Sequence, residues 1–194
     1  LFLNNDVEII TESWLEEMLQ LCQQKDVGMA GAKLYYPDDT IQHAGVVVGL
    51  GGVAAHVLCK LPRDAEGYMG RLRCVQEISA VTAACMMVKT SVFKAVGGFD
   101  EELKVAFNDI DLCMKVRKYG VKIVFTPYAE LYHYESKSRG MEDTPEKQLR
   151  FSREVNCFRR KWERELLKGD PYYNPNLTLN NTDCSLRKQE KNGD

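Results

Sequence analysis

The sequence predicts an α/β sandwich, formed as one domain by 194 residues. Segments rich in β-branched and other apolar residues, such as 27–35 and 121–125, are typical of buried strands. Between them, apolar residues recur at helical spacing, first from Trp14 to Cys22. Alternating strands and helices favour helices packed on a sheet, and a hydrophobic fraction of 44% is enough for its core.

The chain starts with an apolar triplet that predicts a short strand at residues 1–3. This strand delivers Asn4-Asn5-Asp6 at its carboxyl end, where open α/β sheets bind their ligands. Thr11 or Ser13 then caps the first helix. The later predicted elements are strands at 27–35, 46–48, 78–88, 121–125 and 131–134, a surface loop at 55–75, and a long helix that begins at Thr144-Pro145.

Residues 96–112 form the stretch around which we expect a site. Gly97-Gly98 predicts a turn with positive φ angles, which a side chain would obstruct. A short acidic loop follows, and then a helix from Asp109 to Tyr119 with a glycine as its stop. Asn108 or Asp109 is expected to cap that helix, because Asx residues are the usual helix caps.

Charge and cysteine content limit the function classes. A formal net charge of −2 argues against a nucleic-acid partner, because neutralising a phosphate backbone needs a basic face. The seven cysteines are odd in number and form no C-x-x-C pair, which predicts neither a disulfide framework nor a zinc site and favours a cytoplasmic location. No apolar run approaches the roughly 18 residues of a membrane-spanning helix.

The last predicted helix carries a basic face among apolar residues. A solvated face on a packed helix is one interpretation, and a peripheral contact with lipid phosphates at the inner face of the membrane is the other. The basic residues are Arg150, Arg153, Arg159, Arg160, Lys161 and Arg164.

Three polar groups fall at predicted strand ends or just beyond them: Asn4-x-Asp6, Asn108-Asp109 and His133. Hard divalent cations take carboxylate and substrate-phosphate oxygens, and a manganese-like ion also accepts imidazole. Asp6 and His133 could therefore hold such an ion on a diphosphate. Taken singly, Asn-Asn-Asp is also typical of an Asx turn, and a lone histidine among aromatic residues is typical of packing.

An ordered set of motifs carries a resemblance to a known family. The motifs are Leu3-Asn4-Asn5-Asp6, Lys33-Leu34-Tyr35, Thr40-Ile41-Gln42-His43-Ala44-Gly45, Thr82-Ala83-Ala84-Cys85, Val96-Gly97-Gly98-Phe99-Asp100-Glu101, Asn108-Asp109-Ile110-Asp111, and His133-Tyr134-Glu135-Ser136 with Ser138-Arg139-Gly140. Together they resemble the inverting family-2 glycosyltransferases, most closely the bacterial rhamnosyltransferase-like members. The resemblance implies a GT-A-type sandwich with a mixed central sheet. It also implies sugar transfer from a nucleotide-diphosphate donor to a saccharide or lipid-linked acceptor, in surface polysaccharide synthesis.

The resemblance implies a metal site for Mn²⁺ or Mg²⁺. Asp6 takes the place of the main metal carboxylate, and Asn4 stands where the family has the first Asp of its D-x-D motif. Losing that carboxylate should weaken metal binding. His133 matches a histidine that approaches the metal or the diphosphate in related enzymes.

The resemblance makes Asp109 the expected general base. Asn108 replaces the family's usual Glu, and an amide donates hydrogen bonds where a carboxylate only accepts them. Together with Thr82, Ala83 and Gly98, Asn108 is expected to bind substrate.

A glycosidase would instead need two carboxylates flanking one bond. Asp109 and Asp111 are two positions apart on a helix, so their side chains point in different directions. Asp111 is then a cap or a support.

The family grips its nucleotide with βαβ units before the D-x-D strand, whereas this sequence starts at that strand. We expect residues 1–170 to be the acceptor-side portion of such a domain, which would bind nucleotide poorly by itself, and residues 171–194 to be an extended, partly disordered tail. The exposed edge of strand 1–3 would allow self-association into a homo-oligomer. A non-catalytic domain of the same fold, which binds carbohydrate or a partner, is the alternative.

Overall fold

A computed structural model describes residues 1–135 and 144–188. The strands are β1 Phe2–Leu3, β2 Val7–Ile9, β3 Val27–Tyr35, β4 Ile41–His43, β5 Val46–Val48, β6 Ala54–His56, β7 Gln76–Glu77, β8 Cys85–Val88 and β9 Lys122–His133. The α-helices are α1 Trp14–Cys22, α2 Thr90–Ala95, α3 Asn108–Tyr119, α4 Pro145–Lys161 and α5 Glu163–Lys168, and two 3₁₀ helices span Leu50–Gly52 and Tyr68–Arg73. No α-helix in these two ranges is both long and apolar enough to cross a membrane.

Seven of the strands form one mixed sheet with the order β1-β8-β3-β9-β2, in which β4 also pairs with β3 and β7 with β9. β3 and β9 run parallel, while the other pairs of this sheet are antiparallel. β5 and β6 form a separate two-stranded hairpin. The predicted α/β class with a mixed central sheet is therefore confirmed.

The sheet is covered by helices on both faces. β3 is buried at every residue, as expected for a central strand. Its residues alternate between two cores: Ala30 and Leu34 belong to the core that Trp14 of α1 covers, whereas Met29 belongs to the core that contains Leu112 of α3. The alternation makes the structure a three-layer sandwich.

The C-terminal strand is longer than predicted. The sequence suggests two short strands interrupted at Pro127, but β9 is continuous from Lys122 to His133. Its pairing with β3 shifts register between Phe125 and Glu130, which makes a bulge. Proline has no N–H to donate to a neighbouring strand, and at a bulge the regular ladder of hydrogen bonds is already interrupted. The strand therefore continues to His133.

The predicted strand at residues 78–88 is shorter than expected, because β8 comprises only Cys85–Val88. Before it, Val81 packs directly on the backbone of β3 at Gly31. A Cβ atom at Gly31 would lie 2.3 Å from Cγ1 of Val81, so only glycine permits this approach. The segment with Thr82 and Ala83 leaves the sheet as a turn.

Two segments predicted as irregular pack closely against the domain. The 55–75 segment buries Leu58 and Leu72, so the prediction of a surface loop was wrong there. Residues 171–188 contain no α-helix or strand, yet Tyr173 is buried and the N–H of Leu58 donates to the Thr182 carbonyl at 2.6 Å. The rest of the predicted tail, residues 189–194, lies outside the described ranges.

Candidate active site

One cleft of about 740 Å³ collects most of the residues that the sequence singled out. It lies between the turn after β1, the turn before β8, the loop before α3 and the end of β9. The predicted residues that line it are Asn4, Asp6, Thr82, Ala83, Asn108, Asp109 and His133. Gly98 does not line this cleft, and Ser136 and Ser138-Arg139-Gly140 lie outside the described residues.

The pairing of β2 with β9 brings Asp6 to His133. Val7 lies opposite His133, and the N–H of Tyr134 donates to the Asp6 carbonyl at 2.8 Å. Nε2 of His133 is 3.3 Å from Oδ1 of Asp6 and 3.1 Å from Nδ2 of Asn4. Oδ1 of Asp6 is buried and has no hydrogen-bond partner among residues 1–135 and 144–188. Such an orphaned carboxylate oxygen beside an imidazole nitrogen fits a hard divalent cation.

The donor set for such a cation is small. Residues 1–135 and 144–188 contain no group of three or more His, Cys, Asp or Glu side chains that could hold a metal ion. Asp6 and His133 are the two side chains of this type that the structure brings together at the predicted metal site. Nδ2 of Asn4 contacts Nε2 of His133, which is the imidazole nitrogen that faces Asp6, so Asn4 also belongs to this group of side chains.

The Asp109 carboxylate is held by two backbone amides. Its Oδ2 accepts from the N–H of Ala83 at 3.1 Å, and its Oδ1 accepts from the N–H of Ile110 at 2.8 Å. The Ala83 contact ties α3 to the turn before β8, so the base candidate and the turn form one wall of the cleft. Each oxygen keeps a lone pair for a further hydrogen bond.

The start of α3 differs from the expected capped helix. The helix begins at Asn108, and the residue before it, Phe107, adopts a left-handed conformation with φ of 62° and makes no side-chain cap. Asn108 Oδ1 accepts only from the next N–H, at 2.7 Å, as Asp109 Oδ1 does. The prediction that either residue caps the helix was therefore wrong. Gly120 ends the helix with φ of 97°, as predicted.

Glu154 of α4 holds the loop that leads into α3. Its Oε1 accepts from the N–H groups of Lys104 and Val105, each at 3.1 Å, and its Oε2 accepts from Ala106 at 2.9 Å. Glu154 is only 3% exposed, so these bonds satisfy a buried carboxylate. The same three loop residues line the cleft beside Asp109.

Asp111 has a structural role. It is fully buried, and its Oδ1 accepts from Nε1 of Trp162 at 2.8 Å and lies 2.7 Å from Nζ of Lys161. Its Oδ2 is 3.2 Å from Nζ of Lys115. Of the two open interpretations, support is the correct one, because these contacts fasten the end of α4 to α3.

The glycine turn supports the cleft from behind. Gly97 and Gly98 have φ of 78° and 65°, which confirms the predicted positive-φ turn. Phe99, the next residue, packs edge-on against Phe2 of β1 with ring centroids 4.9 Å apart, and the Gly98 carbonyl accepts from Nζ of Lys115. The turn thus connects α3 to β1, the strand that leads directly into Asn4 and Asp6.

A pair of histidines lies beneath the same cleft. Nδ1 of the fully buried His43 is 3.0 Å from Nδ1 of His56, and Nε2 of His43 accepts from the N–H of Thr82 at 3.4 Å. Burial lowers the pKa of His43 well below its ordinary value, and the neighbouring imidazoles of His56 and His133 lower it further. Burial also lowers the pKa of His56, against the opposing charges of Asp109 and Glu135.

Sequence reasoning missed three residues that shape the cleft: His56 lines it, Gln42 contacts His133, and Glu154 holds its loop. Gln42 lies within the motif Thr40-Ile41-Gln42-His43-Ala44-Gly45, and its place there could have indicated a role near the site. Glu154 stood among arginines on a helix of basic character, and nothing in that pattern indicates three bonds to a distant loop.

Comparison with known proteins identifies the family. The sequence model described as "Glycosyltransferase like family 2" matches residues 2–154. Over 184 residues the chain is 57% identical to the uncharacterized protein y4gI of Sinorhizobium fredii, a match that covers 94% of the chain and 20% of that protein. It is 40% identical to the O-antigen biosynthesis protein RfbC of Myxococcus xanthus over 195 residues, 100% of the chain and 15% of RfbC.

A shorter match relates the chain to a named enzyme. Over 62 residues it is 36% identical to the N-acetylglucosaminyl-diphospho-decaprenol L-rhamnosyltransferase of Mycobacterium tuberculosis. This match covers 32% of the chain and 20% of that protein. The chain belongs to glycosyltransferase family 2, and its resemblance to bacterial rhamnosyltransferase-like members is confirmed. The chain spans about a fifth or less of the length of these curated relatives.

Replacing Glu154 with Gln tests the support of the cleft loop. One carboxylate oxygen becomes an NH₂ group, which cannot accept from a backbone N–H, so we expect the free energy of unfolding to fall by about 1–3 kcal/mol. Urea denaturation measures this. Glu163→Gln, an exposed change on α5, is the control and should stay within about 0.5 kcal/mol of the parent chain. Equal effects of the two substitutions would contradict the role given to Glu154.

His43 should make stability depend on pH. The pKa of His43 is lowered in the folded chain, so near pH 6 the unfolded chain binds a proton on this residue and the folded chain does not. The free energy of unfolding therefore falls as the pH drops through the ordinary histidine pKa of about 6.5. Between pH 7.5 and 5.5 the parent chain should lose more stability than His43→Gln, by on the order of 1 kcal/mol. Denaturant titrations at both pH values measure the difference, and identical losses would show that His43 is not held neutral.

Proposed function

We propose that this chain forms part of the active site of an inverting glycosyltransferase. The enzyme would move a sugar from a nucleotide-diphosphate donor to a saccharide or lipid-linked acceptor in the synthesis of a surface polysaccharide. The observation that carries the proposal is the meeting of Asp109, Asp6 and His133 in one cleft. A base and a place for a diphosphate are the two needs of a single displacement at an anomeric carbon. The name of the related rhamnosyltransferase supports the reaction class, and the name of RfbC, an O-antigen biosynthesis protein, supports the biosynthetic setting.

Asp109 acts as the general base in this proposal. The carboxylate takes the proton of the acceptor hydroxyl while the hydroxyl oxygen attacks the anomeric carbon. The backbone N–H groups of Ala83 and Ile110 fix its orientation, which removes the need to order it during the reaction. The nearby Asp111 is buried and paired, so it is unsuited to serve as the second carboxylate of a glycosidase.

Asp6 and His133 would hold a Mn²⁺ or Mg²⁺ ion, with donor phosphates and water as the other ligands. Such an ion, when bound, stabilises the negative charge that develops on the departing diphosphate. The Asn4 amide, which lies 3.1 Å from Nε2 of His133, would give up that contact when the ion binds to this nitrogen. Asn108, Thr82 and Ala83 line the remaining wall and would contact the acceptor.

We also propose that the reaction takes place on the cytoplasmic side of the membrane, where α4 would approach anionic lipids. Part of the basic face predicted on this helix makes protein contacts instead: Arg159 donates to the Gly52 carbonyl at 3.1 Å, and Lys161 pairs with Asp111 at 2.7 Å. Arg153 and Arg160 are exposed and are the residues that would face lipid phosphates.

Asp109→Asn should abolish transfer while donor binding is retained, since the amide preserves shape but cannot take a proton. We expect the transfer rate to fall by at least about 100-fold. The measurement is release of UDP or dTDP from a panel of nucleotide sugars by the natural protein in which this sequence occurs, with nucleotide binding measured by calorimetry. Asp64→Asn, an exposed change away from the cleft, should transfer at the normal rate. Retained activity in the Asp109 variant would remove this residue from the mechanism.

Asp6→Asn should weaken Mn²⁺ binding, because it removes a charge whose buried oxygen has no hydrogen-bond partner. We expect the dissociation constant to rise at least about tenfold, equivalent to about 1.4 kcal/mol. Titration followed by the electron paramagnetic resonance signal of free Mn²⁺ gives this constant for the chain itself, and Asp64→Asn again serves as control. Unchanged affinity in the Asp6 variant would place the ion elsewhere.

A further inference from the structure

Gln42 makes three hydrogen bonds to His133 and Glu135, two residues that line the cleft. It is 4% exposed, and its Oε1 lies 2.7 Å from Nδ1 of His133. Its Nε2 donates to the His133 carbonyl at 3.2 Å and to the Glu135 carboxylate at 3.4 Å. Both of the latter partners only accept, so the amide nitrogen must face them. The amide oxygen is therefore the atom that faces the imidazole.

This orientation decides where His133 carries its proton. An amide oxygen accepts, so Nδ1 of His133 is the donor and holds the hydrogen. Nε2 then presents a lone pair. The contact with Asn4 agrees, because its Nδ2 donates to Nε2 at 3.1 Å and needs an acceptor there. A cation bound to Nε2 would take the place of this hydrogen bond.

Nε2 also faces an acceptor that lacks a donor. Oδ1 of Asp6 lies 3.3 Å away, and no donor from the described residues hydrogen-bonds to it. Two acceptors that face each other at this distance repel, and a cation between them would turn that repulsion into attraction.

We propose that Gln42 is a positioning residue: it keeps the proton of His133 on Nδ1 and thereby presents Nε2, beside Asp6, to a hard divalent cation. The proposal rests on the metal part of the proposed function. Glutamine suits the position because one side chain supplies both the acceptor for the ring and the donor for the segment from His133 to Glu135. A methionine of similar size would supply neither with comparable strength.

The first experiment needs no substitution. Long-range ¹H–¹⁵N spectra of the ¹⁵N-labelled chain at pH 7.5 report the protonation of each ring nitrogen, and the sequence has three histidines. Loss of one signal set in His133→Gln assigns the residue. We expect a protonated Nδ1 and a bare Nε2. A proton on Nε2, either alone or on a doubly protonated ring paired with Asp6, would overturn the proposal.

The second experiment substitutes Gln42. Gln42→Met removes the acceptor, so His133 should lose its preference for Nδ1–H, and the Mn²⁺ dissociation constant should rise about 10–100-fold. Gln148→Met, an exposed change on α4, is the matched control and should alter neither property. Near-ultraviolet circular dichroism checks that each variant is folded.

The outcomes separate this inference from the proposed function. A folded Gln42→Met variant with the parent tautomer or the parent Mn²⁺ affinity would overturn the role of Gln42, while the Asp6 and Asp109 results could still support sugar transfer. Absence of Mn²⁺ binding to the parent chain, at concentrations up to about 1 mM, would instead refute the metal part of the proposed function and the cation part of this inference.

Discussion

The parallel pairing of β9 with β3 is the interaction on which the cleft depends. β3 is buried along its whole length, and β9 pairs with it from Val27–Lys122 to Tyr35–Tyr132. His133 follows directly after the last of these pairs and also faces Val7 of β2. A slip of one residue would turn its imidazole to the other face of the sheet. The bulge around Pro127 lies between the two halves of this pairing and therefore sets the register of the half that ends at His133.

Buried polar side chains hold the walls of the cleft in place. Burying Glu154, Asp111 or His43 in an apolar core is costly unless each polar atom finds a partner. Glu154 finds three backbone N–H groups, Asp111 finds Trp162 and two lysines, and His43 lies between His56 and the Thr82 backbone. These networks rigidify the loops that they contact. Among the described residues, Oδ1 of Asp6 and Oδ2 of Asp111 are both buried without a hydrogen bond, but Oδ2 of Asp111 lies 3.2 Å from the ammonium group of Lys115, whereas Oδ1 of Asp6 faces only the imidazole of His133.

Local patterns predicted the elements whose causes are local. The apolar run of β3, the helical stripe of α1 and the Thr144 cap of α4 all occur, the cap as a bond from the Lys147 N–H at 3.3 Å. The errors arose where distant contacts override local preference. Pro127 was taken as the end of a strand, but the neighbouring β3 and a bulge carry the strand past it. Asx propensity suggested a cap at α3, yet a left-handed Phe107, packed on Phe158 with centroids 5.3 Å apart, occupies the cap position.

The sequence by itself determined the family and the chemical identity of the candidate base and metal ligands, because ordered motifs preserve residue types along the chain. Only the tertiary structure decided which of these residues meet and which others support them. Gln42 and His133 are 91 positions apart, and Asn4 and His133 are 129 positions apart. Contacts of that separation follow from strand pairing and register, which no local pattern contains. For the same reason the sequence could not show that Gly98 lies outside the lining of the cleft, or that Asp111 supports the end of α4.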